Sequence, residues 1–152
     1  MQKQQSGFTL IELIMVIVIL GILSAFALPR FANLSDEAST AAVQGALGSA
    51  KSAAAISHAA ALAEDVTASV DLEGTTINLV NLYPAAESIC DAGQLTDDFD
   101  CETNAGGTAT IVAPGTPADN DPCFTYTEAA ADSSPTFSVI GTWTSGTPNT
   151  CT

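Results

Sequence analysis

Hydrophobic and polar positions fall into three successive patterns. Residues 8–28 are apolar on every side and carry one charge, Glu12. A helix of about 21 residues, at ~1.5 Å each, spans ~32 Å, the hydrocarbon thickness of a bilayer. A cleaved secretory signal has a shorter apolar run, with its cleavage site after that run. An acid in a lipid-facing helix costs up to about 3 kcal/mol at the centre and less near an end, so Glu12 is a functional candidate that needs a partner.

The spacing stays helical beyond the apolar run. Val43, Leu47, Ala50, Ala54 and Ala61 share one face, and alanine gives a thin helix of high propensity that a sheet can approach closely. One long helix is predicted from residue 8 to about 62. Gly21 and Pro29 interrupt it, and proline removes a hydrogen bond and clashes one turn back, which predicts a kink or local melting near residues 25–28. Arg30 sits where a cation reaches the membrane interface. Ser35 reads as a helix cap followed by Asp36 and Glu37 in a first turn. His58, alone among alanines, reads as a surface or sheet-facing residue.

The period then changes to two. Residues 66–73 alternate, Gly74 breaks them, and residues 75–82 follow, which predicts a β-hairpin that Tyr83-Pro84 ends. Residues 86–90 read as a short helix and 108–113 as a short strand. Pro114-Gly115-Thr116-Pro117 reads as a turn, and residues 123–127 and 136–143 as two β-rich strands. The fold class is α+β: a long N-terminal helix packed on a small antiparallel sheet, then a disulfide-closed C-terminal region.

Charge narrows the function classes. The 152 residues hold 3 basic and 17 acidic side chains, a formal −14. Nucleic-acid binding needs phosphate-neutralising cations, so none is expected, and charge-driven adhesion to anionic lipid is disfavoured too. The cysteines Cys90, Cys101, Cys123 and Cys151 form no CxxC pair, and His58 is the only histidine. That spacing does not suit zinc; an even count in an exported domain reads as two disulfides. Three connectivities are possible. Closure of nearest-neighbour loops favours Cys90–Cys101 with Cys123–Cys151, each stabilising by roughly 3 kcal/mol in the chain-entropy picture.

The stretch Ser6-Gly7-Phe8-Thr9-Leu10-Ile11-Glu12-Leu13 resembles the processing site of type IV pilins and their pseudopilin relatives. The resemblance implies a type IV pilin fold. It also implies removal of a leader, residues 1–7, by a prepilin peptidase between Gly7 and Phe8, with N-methylation of Phe8. Lys3 leaves with the leader, so two basic residues face 17 acidic ones, a formal −15. Glu12 then stands fifth in the mature chain, where the family's assembly glutamate sits, one helical turn from the new amine. Gly21 to Pro29 matches the segment that unwinds when subunits enter a filament. The implied division is a membrane and filament-core helix over 8–30, an amphipathic half over 31–63, and a globular sheet domain over 64–152 with an αβ-loop and a D-region. Residues 29–35, with Gly45, Gly48 and Tyr83-Pro84, further resemble the mannose-sensitive haemagglutinin subgroup.

The expected role is therefore structural. The implied subunit is a major pilin that moves from the inner membrane of a Gram-negative-type bacterium into a surface filament of identical copies, built by pilus assembly machinery and used for attachment. A type II secretion pseudopilin is the alternative, and a membrane-anchored binding module a third class. No triad, phosphate loop or HExxH motif points to an enzyme, and no cofactor is expected. Asp97, Asp98 and Asp100, with Asp119 and Asp121, are weak calcium candidates, because oxygen-rich loops suit that ion but neither cluster has EF-hand spacing.

Overall fold

The computed structural model describes residues 8–146 and 149–152, so the expected leader, residues 1–7 with Gly7, lies outside the described residues. Two compact units divide the chain, Met1–Glu37 and Ala38–Thr152. Helix α1, Leu10–Glu64, is assigned without a break and contributes to both. Its backbone is helical at Gly21, Pro29 and Ser35. Ser35 therefore lies inside a helix rather than capping one. A proline forfeits one ladder bond, and the alanine-rich sequence beyond it has the propensity to carry the helix on.

Within Ala38–Thr152, α1 buries one face. Val43, Ala46, Ala50, Ala54, Ser57 and Ala61 recur at helical spacing and are almost wholly enclosed. Ser57 escapes the cost of a buried hydroxyl by donating to the Ala53 carbonyl one turn back, at 2.8 Å. Leu47 is only partly buried beside this face.

Two sheets stand where the sequence suggested one. The first has the order β1 (Ser69–Leu72), β2 (Thr75–Val80), β3 (Tyr83–Pro84), all antiparallel. Its turns are both left-handed pairs, Glu73 and Gly74 with φ of 51° and 88°, then Asn81 and Leu82 with φ of 52° and 71°. Two consecutive residues of that kind match the twist of a tight hairpin. Tyr83-Pro84 thus adds a strand instead of ending the hairpin: Pro84 pairs Leu79 on a sheet edge, where the missing N–H is tolerated. Val70, Ile77 and Leu79 close a small core against Ala61.

The short helix α2, Ile89–Ala92, lies slightly later than expected. The second sheet follows, ordered β4 (Asp100–Asn104), β5 (Thr108–Val112), β6 (Pro122–Thr127), β8 (Gly141–Thr144), β9 (Thr150–Cys151), with β7 (Thr136–Phe137) also on β6. β4 was not expected, because its sequence DCETN carries no apolar alternation. The expected strand over 136–143 is split in two. β7 pairs the end of β6 (Tyr126↔Phe137) and β8 its start (Cys123↔Gly141). Between them, the Thr125 amide donates to the Ser138 hydroxyl and the Ser138 amide donates to the Thr125 carbonyl, both at 2.9 Å.

The main core gathers Val43, Ala50, Ile89, Ile111, Phe124 and Tyr126. Tyr126 ties this core to the first sheet: its buried hydroxyl donates to the Pro84 carbonyl at 2.6 Å. Burial pushes that phenol above its ordinary range, and the nearby Glu128 charge adds to the effect. The disulfides join Cys90 to Cys101 and Cys123 to Cys151, the nearest neighbours in sequence. Cys123 and Cys151 pack with Val112 and Trp143 in a third cluster. The 118–121 turn is pinned to the end of β8, because the amide and hydroxyl of Ser145 both donate to Asp119 Oδ1 at 2.8 Å.

Two outcomes follow. Tyr126→Phe leaves the Pro84 carbonyl without its donor and is expected to lower unfolding stability by about 1–3 kcal/mol, read by thermal or denaturant unfolding of the full chain. The Ser145 amide, then its hydroxyl, hold the Asp119 carboxyl below the ordinary aspartate range. Its anchoring is therefore complete above the unfolded-state pKa and is lost as pH falls through the lower folded value. A carboxyl NMR titration should place Asp119 below an exposed aspartate, and Asp119→Ala should speed Ser145 amide exchange at neutral pH.

Candidate functional site

The start of α1 concentrates the chemistry. Thr9 precedes the first helical residue, and Glu12 stands in the first turn. The Thr9 amide and hydroxyl both donate to Glu12 Oε2, at 2.8 and 2.7 Å, and the Glu12 amide donates back to the Thr9 hydroxyl at 3.3 Å. This is a capping box, which satisfies amides that the first turn leaves without partners. Its signature, Thr-x-x-Glu ahead of an apolar run, is readable in the sequence, so Thr9 is the capping residue beside Glu12 that the patterning passed over. Both bonds land on Oε2 and neither uses Oε1. In the present chain Phe8 is still linked to Gly7, so its nitrogen is an amide rather than an amine. Phe8 is 92 % exposed.

From Leu13 to Ala27 the helix surface is apolar apart from Ser24. Residues 10–27 have a mean hydropathy of 2.8, a length and composition sufficient to cross a membrane, and none is buried within the chain. Leu13, Ile17, Leu20 and Phe26 are exposed, as are Ile14, Val18 and Ile22 around the circumference. A helix apolar all round finds its partners in lipid or in other helices. Ser24 fits such a setting by donating to the Leu20 carbonyl at 2.7 Å. Gly21 and Pro29 lie in continuous helix here. The apolar helix and the motif ahead of it fit a membrane-anchored precursor.

The acidic loops belong to the other unit, Ala38–Thr152. Asp97, Asp98 and Asp100 follow α2 into β4. Asp119 is engaged by Ser145, and Asp121 accepts the Ala118 amide at 2.7 Å. Among the described residues, no three or more Asp, Glu, His or Cys side chains gather in a way that could hold a metal ion. Three further carboxylates in the globular unit are met by neutral donors, Asp71 by Thr76, Glu73 by Gln94 and Glu87 by Asn78.

Comparison with known proteins bears on the N-terminal segment. Residues 2–28 match the prokaryotic N-terminal methylation motif. The chain is 56 % identical over 50 residues to the major component of the type IV narrow pilus of Thermus thermophilus, a match covering 33 % of this chain and 43 % of that protein. It is 48 % identical over 44 residues to core protein G of the type II secretion system of Pseudomonas aeruginosa, covering 29 % and 31 %. It is 49 % identical over 49 residues to the type IV major alpha-pilin of Moraxella bovis, covering 32 % and 31 %. Each match thus spans less than half of the relative's length. No solved structure matches the chain. The N-terminal third of the chain thus carries the prokaryotic methylation motif and an apolar segment similar to those of type IV pilins and of a type II secretion core protein.

Proposed function

We propose that the chain is the major subunit of a type IV pilus, a structural polymer of identical copies used for surface attachment. A prepilin peptidase removes residues 1–7 between Gly7 and Phe8, and Phe8 is N-methylated. Residues 8–30 hold the subunit in the inner membrane of a Gram-negative-type cell and then enter the filament core. Residues 31–63 and 64–152 form the amphipathic half-helix and the globular domain, and the pilus assembly machinery delivers the subunit to the extracellular surface. The observation that carries this reading is a single carboxylate held at the first turn of a helix whose apolar surface has no partner within its own chain.

Glu12 supplies the assembly step. Cleavage turns the Phe8 amide into an ammonium one helical turn away. An incoming subunit's Glu12 meets the Phe8 ammonium of a neighbour, and in a low-dielectric core that pairing offsets the desolvation an isolated carboxylate bears. Thr9 keeps the carboxylate hydrogen-bonded meanwhile, with Oε1 open to the neighbour. Unwinding between Gly21 and Pro29 lets the helix adjust as copies pack, since a proline already weakens the ladder there. The two disulfides and the resemblance around Pro29 and Tyr83-Pro84 favour a pilus. Similarity to a type II secretion core protein favours the second reading, a periplasmic pseudopilin. Bound calcium, with filaments appearing only on overexpression, would mark that second reading.

Glu12→Gln retains a side chain that can complete the capping box but removes the charge, whereas Glu12→Ala removes both. With membrane levels matched, both variants are expected to cut sheared surface filament by about tenfold or more, as loss of a buried ion-pair partner costs several kcal/mol. Filament at the normal yield in Glu12→Gln would overturn the ionic pairing. Mass analysis of sheared fibres should give chains that begin at a methylated Phe8, and an intact leader in the fibre would contradict processing before assembly.

A further inference from the structure

We propose that the cavity lined by His58 of α1, the β2–β3 turn and residues 132–134 is a binding site for an alkylammonium cation. It lies wholly within Ala38–Thr152 and is independent of the polymer reading. Its volume is about 610 Å³, within the range of small-ligand sites. Three features of its lining point to that chemistry.

The first is an aromatic platform. The rings of His58 and Tyr83 stack with centroids 4.2 Å apart and planes within 1°. His58 Nδ1 lies 3.2 Å from the Leu82 carbonyl. A carbonyl only accepts, so Nδ1 carries the proton, and this bond fixes the ring. Stacked aromatic faces attract organic cations through their quadrupoles.

The second is the carboxylate of Asp132. It is exposed and, among the described residues, has no hydrogen-bond or ionic partner; Asp97, Asp98 and Asp100 are open in the same way but lie outside this cavity, whereas Asp71, Glu73, Glu87, Asp91, Glu102 and Glu128 are held by neutral donors. The unit around the cavity has one basic residue, Lys51, whose ammonium lies 5.7 Å from the centre of the Phe137 ring. A field of that sign repels phosphates and carboxylates and draws cations in.

The third is the backbone. Three of the non-glycine residues with positive φ line this cavity: Asn81 at 52°, Leu82 at 71° and Asp132 at 58°. Leucine is ill suited to that region, and strain of this kind gathers where a side chain must be placed for use. Asn81 is held in turn by donation to the Ala129 carbonyl at 2.8 Å, which ties the β2–β3 turn to the segment that leads into Asp132.

The same ammonium chemistry has two sources, a quaternary head group and a lysine side chain of a protein. The test uses the full chain in a non-ionic detergent, with ring signals of His58 and Tyr83 followed by NMR. Choline chloride, Nα-acetyl-lysine methylamide hydrochloride and methyl glucopyranoside are added separately, against sodium chloride at matched ionic strength. At least one ammonium should give saturable shifts at both rings that sodium chloride does not. Response to choline alone assigns the head group, and response to the lysine amide alone assigns a protein side chain. Asp132→Asn, with both disulfides and the melting curve unchanged, should weaken binding by about fivefold or more. Shifts matched by sodium chloride, unchanged affinity in Asp132→Asn, or saturation by the neutral glucoside with no response to either cation would each overturn the site.

Discussion

One helix must serve two surroundings. Over residues 10–27, α1 buries nothing inside its own chain, and over the segment from Val43 to Ala61 it supplies one wall of a packed core. The first half is apolar around its whole circumference and therefore has to be enclosed by lipid or by other helices. The second half is one-sided, and its other side remains open. The single acid near the start derives its meaning from that division.

The globular unit solves a packing problem with small residues. Ala46, Ala50, Ala54 and Ala61 present almost no side chain, so sheet residues can reach the helix closely, and the volume is filled from the sheet side by Ile111, Phe124 and Tyr126. Small side chains contribute little apolar area each. The unit compensates with covalent ties, one between α2 and β4 and one between β6 and β9. The buried bond from Tyr126 to Pro84 joins the two sheets in the same way at lower cost.

Acidity shapes the polar interactions. With one lysine in Ala38–Thr152, the carboxylates that have partners, such as Asp71, Glu73, Glu102 and Glu128, find them in hydroxyls, amides and backbone N–H groups. Such bonds fix geometry and leave the negative charge in place. Asp119 illustrates the use: its carboxylate organises a turn through the amide and hydroxyl of Ser145. Where a carboxylate lacks even a neutral donor, as at Asp132, it is available to a ligand.

The long helix, its amphipathic stripe at Val43, Ala50, Ala54 and Ala61, the hairpin turning at Gly74 and the strands near 108–112 and 122–127 were all legible in the residues. These elements depend on short-range periodicity and turn chemistry, which a chain carries locally. The Thr9–Glu12 box was equally local and was readable as Thr-x-x-Glu. The tertiary structure decided the rest. β4 exists although DCETN has no strand pattern, because Cys101 is bonded to Cys90 and β5 offers a full register of partners. Tyr83-Pro84 became a strand because β2 had an edge to pair and the Pro84 carbonyl met Tyr126. Likewise His58 and Tyr83, or Asp132 and Asn81, share one cavity only after distant segments are brought together. Sequence by itself determined the elements whose stabilising contacts lie within a few residues; pairings whose free energy comes from partners far along the chain were settled by the fold.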